Sequence, residues 1–302
     1  MMKNIKVLFS FCCLLFTCNG TLIGQPGYDL YLFSLHQTTD GQNHIFGPKF
    51  LSGFNKGGIT YQPGFTPSGD LLVSVRKAGE TQSDIWQLSI SDKKIQCLTR
   101  TLASEFYPKM IEEGQYLSFI KKEPGERIDQ QVFRLDLKTK KVQCMTEDIH
   151  NVGSYAWMSP HELGLYRNEG NETILTYLNT TDNKSKRITT SVGKSISSDK
   201  NGKLVYVHKF DASYWYLKKY NPSSSLVDVI AVTPEKTEDF VIAPDGTYFM
   251  AKDHTLFSMN PGSQTTWSEV ADLSLYGIKF ITGLAVSDDG HQLALVSTKE
   301  KP

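Results

Sequence analysis

The stretch Phe65-Thr66-Pro67-Ser68-Gly69-Asp70-Leu71 decides the fold, because its glycine turn returns along the chain at nearly constant spacing. The turn glycines Gly69, Gly114, Gly202, Gly246 and Gly290 are separated by 45, 88, 44 and 44 residues. The double interval contains Ser159-Pro160-His161-Glu162, a turn that lacks the glycine. Strand-rich repeats of about 40–45 residues mark a β-propeller, in which each repeat is one four-stranded blade.

Outward from each turn, four strand signals recur. A first strand precedes it, as in Tyr61-Gln62-Pro63-Gly64-Phe65 and Phe106-Tyr107-Pro108-Lys109-Met110, and an apolar second strand follows, as in Leu71–Val75. A third alternates polar and apolar residues, as in Asp84-Ile85-Trp86-Gln87-Leu88, and a fourth ends near a hydroxyl residue at Thr99, Thr146, Thr189 and Thr233. Short runs of period two bounded by turn residues are the strand signature, and no dozen-residue window of residues 25–302 has helical periodicity. The final repeat stops after two strands, Ile281–Val286 and Leu293–Val296. The N-terminal part begins on a third-strand signal, Asp29-Leu30-Tyr31-Leu32-Phe33, followed by a fourth at about residues 44–52. Two complementary halves predict a composite last blade, closed by N- and C-terminal strands, and hence an all-β, six-bladed propeller of four-stranded antiparallel blades over residues 25–302. Closing the ring hides the sheet edge that would otherwise invite aggregation.

Three of the turns, Phe65-Thr66-Pro67-Ser68-Gly69, Ile242-Ala243-Pro244-Asp245-Gly246 and Val286-Ser287-Asp288-Asp289-Gly290, resemble the "F-S-P-D-G" core of the TolB-like, WD40-like propeller repeats of bacterial envelope proteins. Asp84-Ile85-Trp86 resembles the "D-I-Y" third strand of the same repeat. The resemblance covers about residues 28–298 and implies a six-bladed propeller serving as a protein-binding platform. TolB itself carries an α/β domain ahead of its propeller, and this sequence leaves no room for one, so a literal Tol–Pal role is not expected.

Residues 1–24 read as an export signal: Lys3 and Lys6 form a positive n-region, and Val7–Phe16 an apolar core too short to span a bilayer. Two processing routes fit it, cleavage after Gly24 or lipidation of Cys18 within Leu15-Phe16-Thr17-Cys18. Both predict an exported protein, periplasmic or envelope-associated, with no transmembrane span. Only Cys97 and Cys144 remain beyond that segment. They occupy equivalent places in neighbouring repeats, too far apart for the roughly 7 Å a disulfide tolerates, and read as half-buried packing.

Charge is balanced, 32 basic against 32 acidic residues, which removes the basic excess expected of a nucleic-acid or anionic-membrane surface. Asp245, Asp288 and Asp289 belong to turns spread around the ring, so their expected role is turn geometry rather than calcium binding, which needs six to eight converging oxygens. The seven histidines are scattered without metal-ligand spacing, and Ser197-Ser198-Asp199 lacks the glycine position and aromatic of a sialidase Asp-box. No G-x-S-x-G nucleophile elbow is present. Trp86, Trp157 and Trp215 lie mid-strand and read as packing between blades. The sequons at Asn171, Asn179 and Asn183 read as polar loops of a bacterial protein.

The candidate binding residues are those joining the fourth strand of one blade to the first of the next. They are Asn55, Lys56, Glu105, Asn151, Lys194, Glu238, Asp239 and Lys279, with Tyr107 and Tyr155 nearby. Repeating geometry should open them on one face around the channel. Mixed charge beside aromatics suits a protein or peptide partner. The expectation is thus a monomeric, non-catalytic binding scaffold without a cofactor. The rival is a small propeller enzyme, lyase or lactonase, with its site in the channel.

Overall fold

The computed structural model describes residues 27–125, 129–234 and 236–298, so the export segment and Cys18 lie outside the described residues. The chain begins with β1 (Tyr28–Gln37) and β2 (Asn43–Phe50), then runs through successive sets of four strands. These are β3 (Ile59–Phe65), β4 (Leu71–Arg76), β5 (Asp84–Leu88) and β6 (Ile95–Cys97); β7 (Ser104–Ile111), β8 (Tyr116–Lys122), β9 (Gln130–Asp136) and β10 (Val142–Cys144); and β11 (Val152–Ser159), β12 (Glu162–Glu169), β13 (Glu172–Asn179) and β14 (Lys184–Thr190). Next come β15 (Val192–Ser198), β16 (Leu204–Lys209), β17 (Trp215–Tyr220) and β18 (Val227–Val232), then β19 (Phe240–Ile242), β20 (Tyr248–Lys252), β21 (Thr255–Met259) and β22 (Ser268–Asp272). The last two strands are β23 (Phe280–Val286) and β24 (Gln292–Thr298). Four of the sheets are four-stranded antiparallel meanders. The remaining strands form an eight-stranded sheet, in which a single parallel bridge, Tyr28 to Ile59, links β23-β24-β1-β2 to β3-β4-β5-β6. This all-β arrangement is that of a propeller.

Strand β1 pairs antiparallel with β24 over seven positions, from Tyr28 opposite Thr298 to Ser34 opposite Gln292. The two ends of the described chain therefore share one sheet, as the complementary half-repeats predict.

The repeated glycine has a conformational cause. Gly69, Gly114, Gly202, Gly246 and Gly290 have φ of +84°, +90°, +69°, +91° and +74°, a region that side chains with a Cβ rarely adopt. Four of them donate the same backbone bond three residues back, to the carbonyls of Thr66, Asp199, Ala243 and Ser287 at 2.9–3.0 Å. The glycine-free turn between β11 and β12 is closed instead by the Ser159 hydroxyl, which donates to Glu162 at 2.9 Å. The acidic turn residues serve the same local geometry: Asp70 accepts from Ile90 N and Gln87 Nε2, and Asp245 accepts from Thr247. Two of the four repeated threonines are likewise structural. Thr99 Oγ1 accepts the backbone N–H of Ile85 at 2.8 Å, and Thr146 Oγ1 that of Val132 at 3.0 Å, each ending the outer-strand ladder.

The core lies between neighbouring sheets. Ile120 and Val132 of one pack with Tyr155, Leu163 and Leu178 of the next, and Val205, Val207 and Leu217 pack with Phe240, Tyr248 and Met250. Trp157 bridges two sheets as expected, its indole N–H donating to Ser118 Oγ at 3.0 Å. Trp86 likewise packs where Leu30 and Val296 meet Leu71 and Val73, with Lys77 over its ring, and Trp215 packs where Val205 and Val207 meet Phe240 and Met250. Cys97 and Cys144 are free and half-buried. Among the described residues, no helix is long and apolar enough to cross a membrane.

Candidate functional site

The first strands of the sets, β3, β7, β11, β15, β19 and β23, each send residues to one central cavity of about 340 Å³. Gln62 and Gly64 come from β3, Tyr107 and Lys109 from β7, Ser154 and Tyr155 from β11, Lys194 and Ser195 from β15, Thr282 from β23, and Asp239 from the residue before β19. Register shifts recur in these strands, between Tyr61 and Gly64, Phe106 and Lys109, Val152 and Ser154, Val192 and Ile196, and Ile281 and Gly283. A bulge leaves a residue outside the ladder and re-aims its side chain. Gln62 and Tyr107, at equivalent places, both have positive φ, +54° and +57°.

A polar web joins these residues. Gln62 Oε1 accepts from Tyr107 N at 2.9 Å and from the Ser74 hydroxyl at 3.0 Å. The Tyr155 hydroxyl donates to the Tyr107 carbonyl at 2.9 Å, and Ser154 Oγ donates to the Lys194 carbonyl. Lys194 Nζ lies 3.3 Å from Asp239, and Lys209 Nζ lies 2.7 Å from Glu238, whose carboxylate also accepts from Lys194 N. Burial pushes the Asp239 carboxyl up to about 6 against the pull of Lys194. Burial opposes the charge of Lys194, but Asp239 and Glu238 outweigh it and hold the ammonium above its ordinary range. Burial also raises both tyrosine hydroxyls, so Tyr107 and Tyr155 stay neutral. Lys109 differs: its ammonium lies 5.5 Å from the centre of the Tyr155 ring, and burial alone lowers its pKa to about 8.

The ten expected rim residues separate into three kinds of place. Tyr107, Tyr155, Lys194 and Asp239 meet at the central cavity, and Glu238 joins them through Lys194 N. Tyr155 is only 1% exposed, so what it offers the cavity is one side of a packed ring. Asn55 and Glu105 are buried rather than open on a rim. Asn55 holds a loop by donating to the Ile59 and Arg76 carbonyls, and Glu105 accepts from Thr101 in the cleft between two sheets. Lys56 and Lys279 are exposed, while Asn151 is half-buried with positive φ and an amide oxygen that has no hydrogen-bond partner. The sequence reading missed Lys109 and Gln62. The available signal was a lysine directly after the proline of Phe106-Tyr107-Pro108-Lys109, at a place where the preceding repeat has Gly64.

No protein-family model matches the chain, and neither does any curated protein. Solved structures do. A TolB structure from Agrobacterium tumefaciens superposes with a TM-score of 0.66 at 11% identity, over 92% of this chain and the whole of the other. The fold is the TolB-like propeller. TolB from Acinetobacter baumannii gives 0.55 at 14% identity over 88% of this chain, which spans 63% of that protein's length. An oligogalacturonate lyase in complex with manganese gives 0.58 at 13% identity, over 87% of this chain and 84% of the other. The TolB-like fold is thus shared with an enzyme, and at these identities the likeness is one of architecture, which does not carry function with it.

Proposed function

We propose that this chain is an exported six-bladed propeller of the cell envelope, its ring closed by β1 and β24, that works as a non-catalytic binding module for a protein or peptide partner. The observation that carries this reading is the cavity itself, where charged and aromatic residues from separate strands converge and the neighbouring carboxylates Asp239 and Glu238 are already tied to lysines. Asp239 is held by Lys194 and Glu238 by Lys209, so neither is poised as a free base. Paired charges at the cavity, together with Lys56 and Lys279 exposed on the surface, suit a polar protein partner, which such charges steer and orient.

A second reading rests on the likeness to the manganese-bound lyase: a small enzyme with a channel-centred site. The residues lining the central cavity offer no histidine, and among the described residues no three His, Cys, Asp or Glu side chains gather as a metal would need. The binding reading is therefore preferred.

The test is capture from envelope extract with the wild-type protein as bait, against a Lys56→Glu/Lys279→Glu bait, two exposed sites whose change leaves the fold intact. Partners retained by the first and lost by the second support the reading. Equal capture by both, or turnover of an acidic oligosaccharide by the wild-type protein, overturns it. Mass spectrometry of the native protein tests export. The expected N-terminus is Gln25 or an acylated Cys18, and an intact Met1 refutes both routes.

A further inference from the structure

The central cavity contains one cation that the protein leaves unanswered. Lys109 lines it from β7, and among the described residues its ammonium makes no ion pair and no hydrogen bond; its nearest feature is the Tyr155 ring. The other cations beside the cavity are paired, Lys194 with Asp239 and Lys209 with Glu238, while Asp288 lines it with no ion pair among the described residues. A half-buried ammonium without a counter-ion is costly, and packing alone would have favoured an apolar residue there. Two further donors line the same cavity. The Gln62 carbonyl oxygen is fully engaged by Tyr107 N and Ser74, so its Nε2 hydrogens have no protein acceptor among the described residues. The Ser195 hydroxyl, which lines the cavity from β15, has none either.

From this we infer that Lys109, with Gln62 and Ser195, forms a binding site for the carboxylate of a small organic acid seated in the central cavity.

One unpaired ammonium, with Asp288 also lining the cavity, leaves room for no more than a single negative charge. A dianion such as phosphate would bring a second negative charge toward Asp239 with no cation left to meet it. A cavity of about 340 Å³ is at the small end of ligand pockets, enough for a compact acid. A planar carboxylate can take the ammonium on one oxygen and the amide and hydroxyl donors on the other, and such charge-assisted bonds are the strong ones. The inference concerns the channel interior and stands independently of the partner proposed for the outer face.

Protonation gives the site a signature. The groups facing Lys109 across the cavity are Tyr107, Tyr155, Lys194, Asp239 and Asp288. Both tyrosines are raised, Lys194 is raised, and Asp239 ionises at about 6, so Lys109 is the group that changes charge on going from pH 7 to pH 9. Burial raises Asp288 as well, but from a carboxylate value far below that window. The anion binds the protonated amine, so affinity is full below about 8 and is lost as pH rises through it.

The experiment is titration calorimetry of the full protein at constant ionic strength with benzoate, gluconate and inorganic phosphate as probes, at pH 7 and pH 9. The aromatic and the polyhydroxy acid separate the two kinds of cavity wall. Saturable binding of either carboxylate, weakened roughly tenfold at pH 9 and at least tenfold by Lys109→Met, supports the site. Lys122→Met on the same sheet should bind as the wild type does. A melting curve on each variant establishes that it is folded. Absence of saturable binding of both carboxylates overturns the inference, as does equal binding by a folded Lys109→Met protein, or phosphate binding as tightly as the carboxylates.

Discussion

Replacing Phe33 by Ala tests whether the N-terminal strand is part of the hydrophobic core or an appendage laid on it. Phe33 sits in β1 opposite Leu293 of β24 and is 1% exposed. It packs with Ala251, Leu273, Ile278, Ile281 and Leu295, and its ring meets Tyr276 edge-on at 5.8 Å. These partners come from the sheet of β19–β22 and from the C-terminal strands, so the cavity left by truncation opens where three parts of the chain meet. Truncating a fully buried phenylalanine costs about 3–5 kcal/mol. For a domain of this size, with about 2–4 °C per kcal/mol, the melting temperature should fall by about 6–20 °C. Leu275, 91% exposed in the neighbouring loop, is the control, and its change to Ala should stay within about 0.5 kcal/mol. The assay is thermal unfolding followed by circular dichroism, with a urea titration to check that the transition remains single. If Phe33→Ala melts within about 2 °C of the wild type, β1 is not integral to the core, and the pairing of the two chain ends contributes little.

Three further outcomes are expected. Gly202→Ala should destabilise more than Gly69→Ala, because both have positive φ but only at Gly202 does a new Cβ meet backbone, the Met158 carbonyl at 2.7 Å; comparative melting of the two variants checks this. Thr99→Val should cost about 1–3 kcal/mol by leaving the Ile85 N–H buried without an acceptor, and a Thr99→Ser protein should recover most of it in urea unfolding. Lys109→Met should raise the melting temperature at pH 7. The folded state holds the lysine near 8 and the unfolded chain near 10.5, so the wild type gains stability as pH rises between those values and the advantage of Met should shrink by pH 10. An unchanged advantage across that range would mean that the ammonium is not desolvated in the folded protein.

The architecture was legible because backbone geometry repeats in sequence. A glycine needed at φ near +80° is needed at every equivalent turn, and a threonine that ends one outer strand ends the next, so both show as a period. The composite sheet was legible for the same reason, since half a repeat at one end of the chain calls for the other half. The site was legible only in part. Tyr107, Lys194 and Asp239 were found because they sit at the joints between repeats, and all three reach the cavity. Asn55 and Glu105 sit at the same joints yet turn inward, Asn55 from a short turn of 3-10 helix and Glu105 from the regular part of β7 opposite Lys121, and spacing does not encode which face a joint residue takes. Lys109 went unnoticed because a repeat pattern draws the eye to what recurs, and its importance lies in standing where the preceding repeat has glycine.

The pairing of β1 with β24 also bears on how the chain acquires its structure. Tyr28 must wait for Thr298 before its ladder can form, so the strand that emerges first is among the last to be satisfied. Contacts of such sequence separation slow folding, and during that interval β1 exposes Leu30, Leu32, Phe33 and Leu35, all of them buried at the end. A chain that cannot finish until its last strand arrives stays threadable for as long as it is incomplete. That delay makes the hydrophobic first strand a natural handle for a holding chaperone.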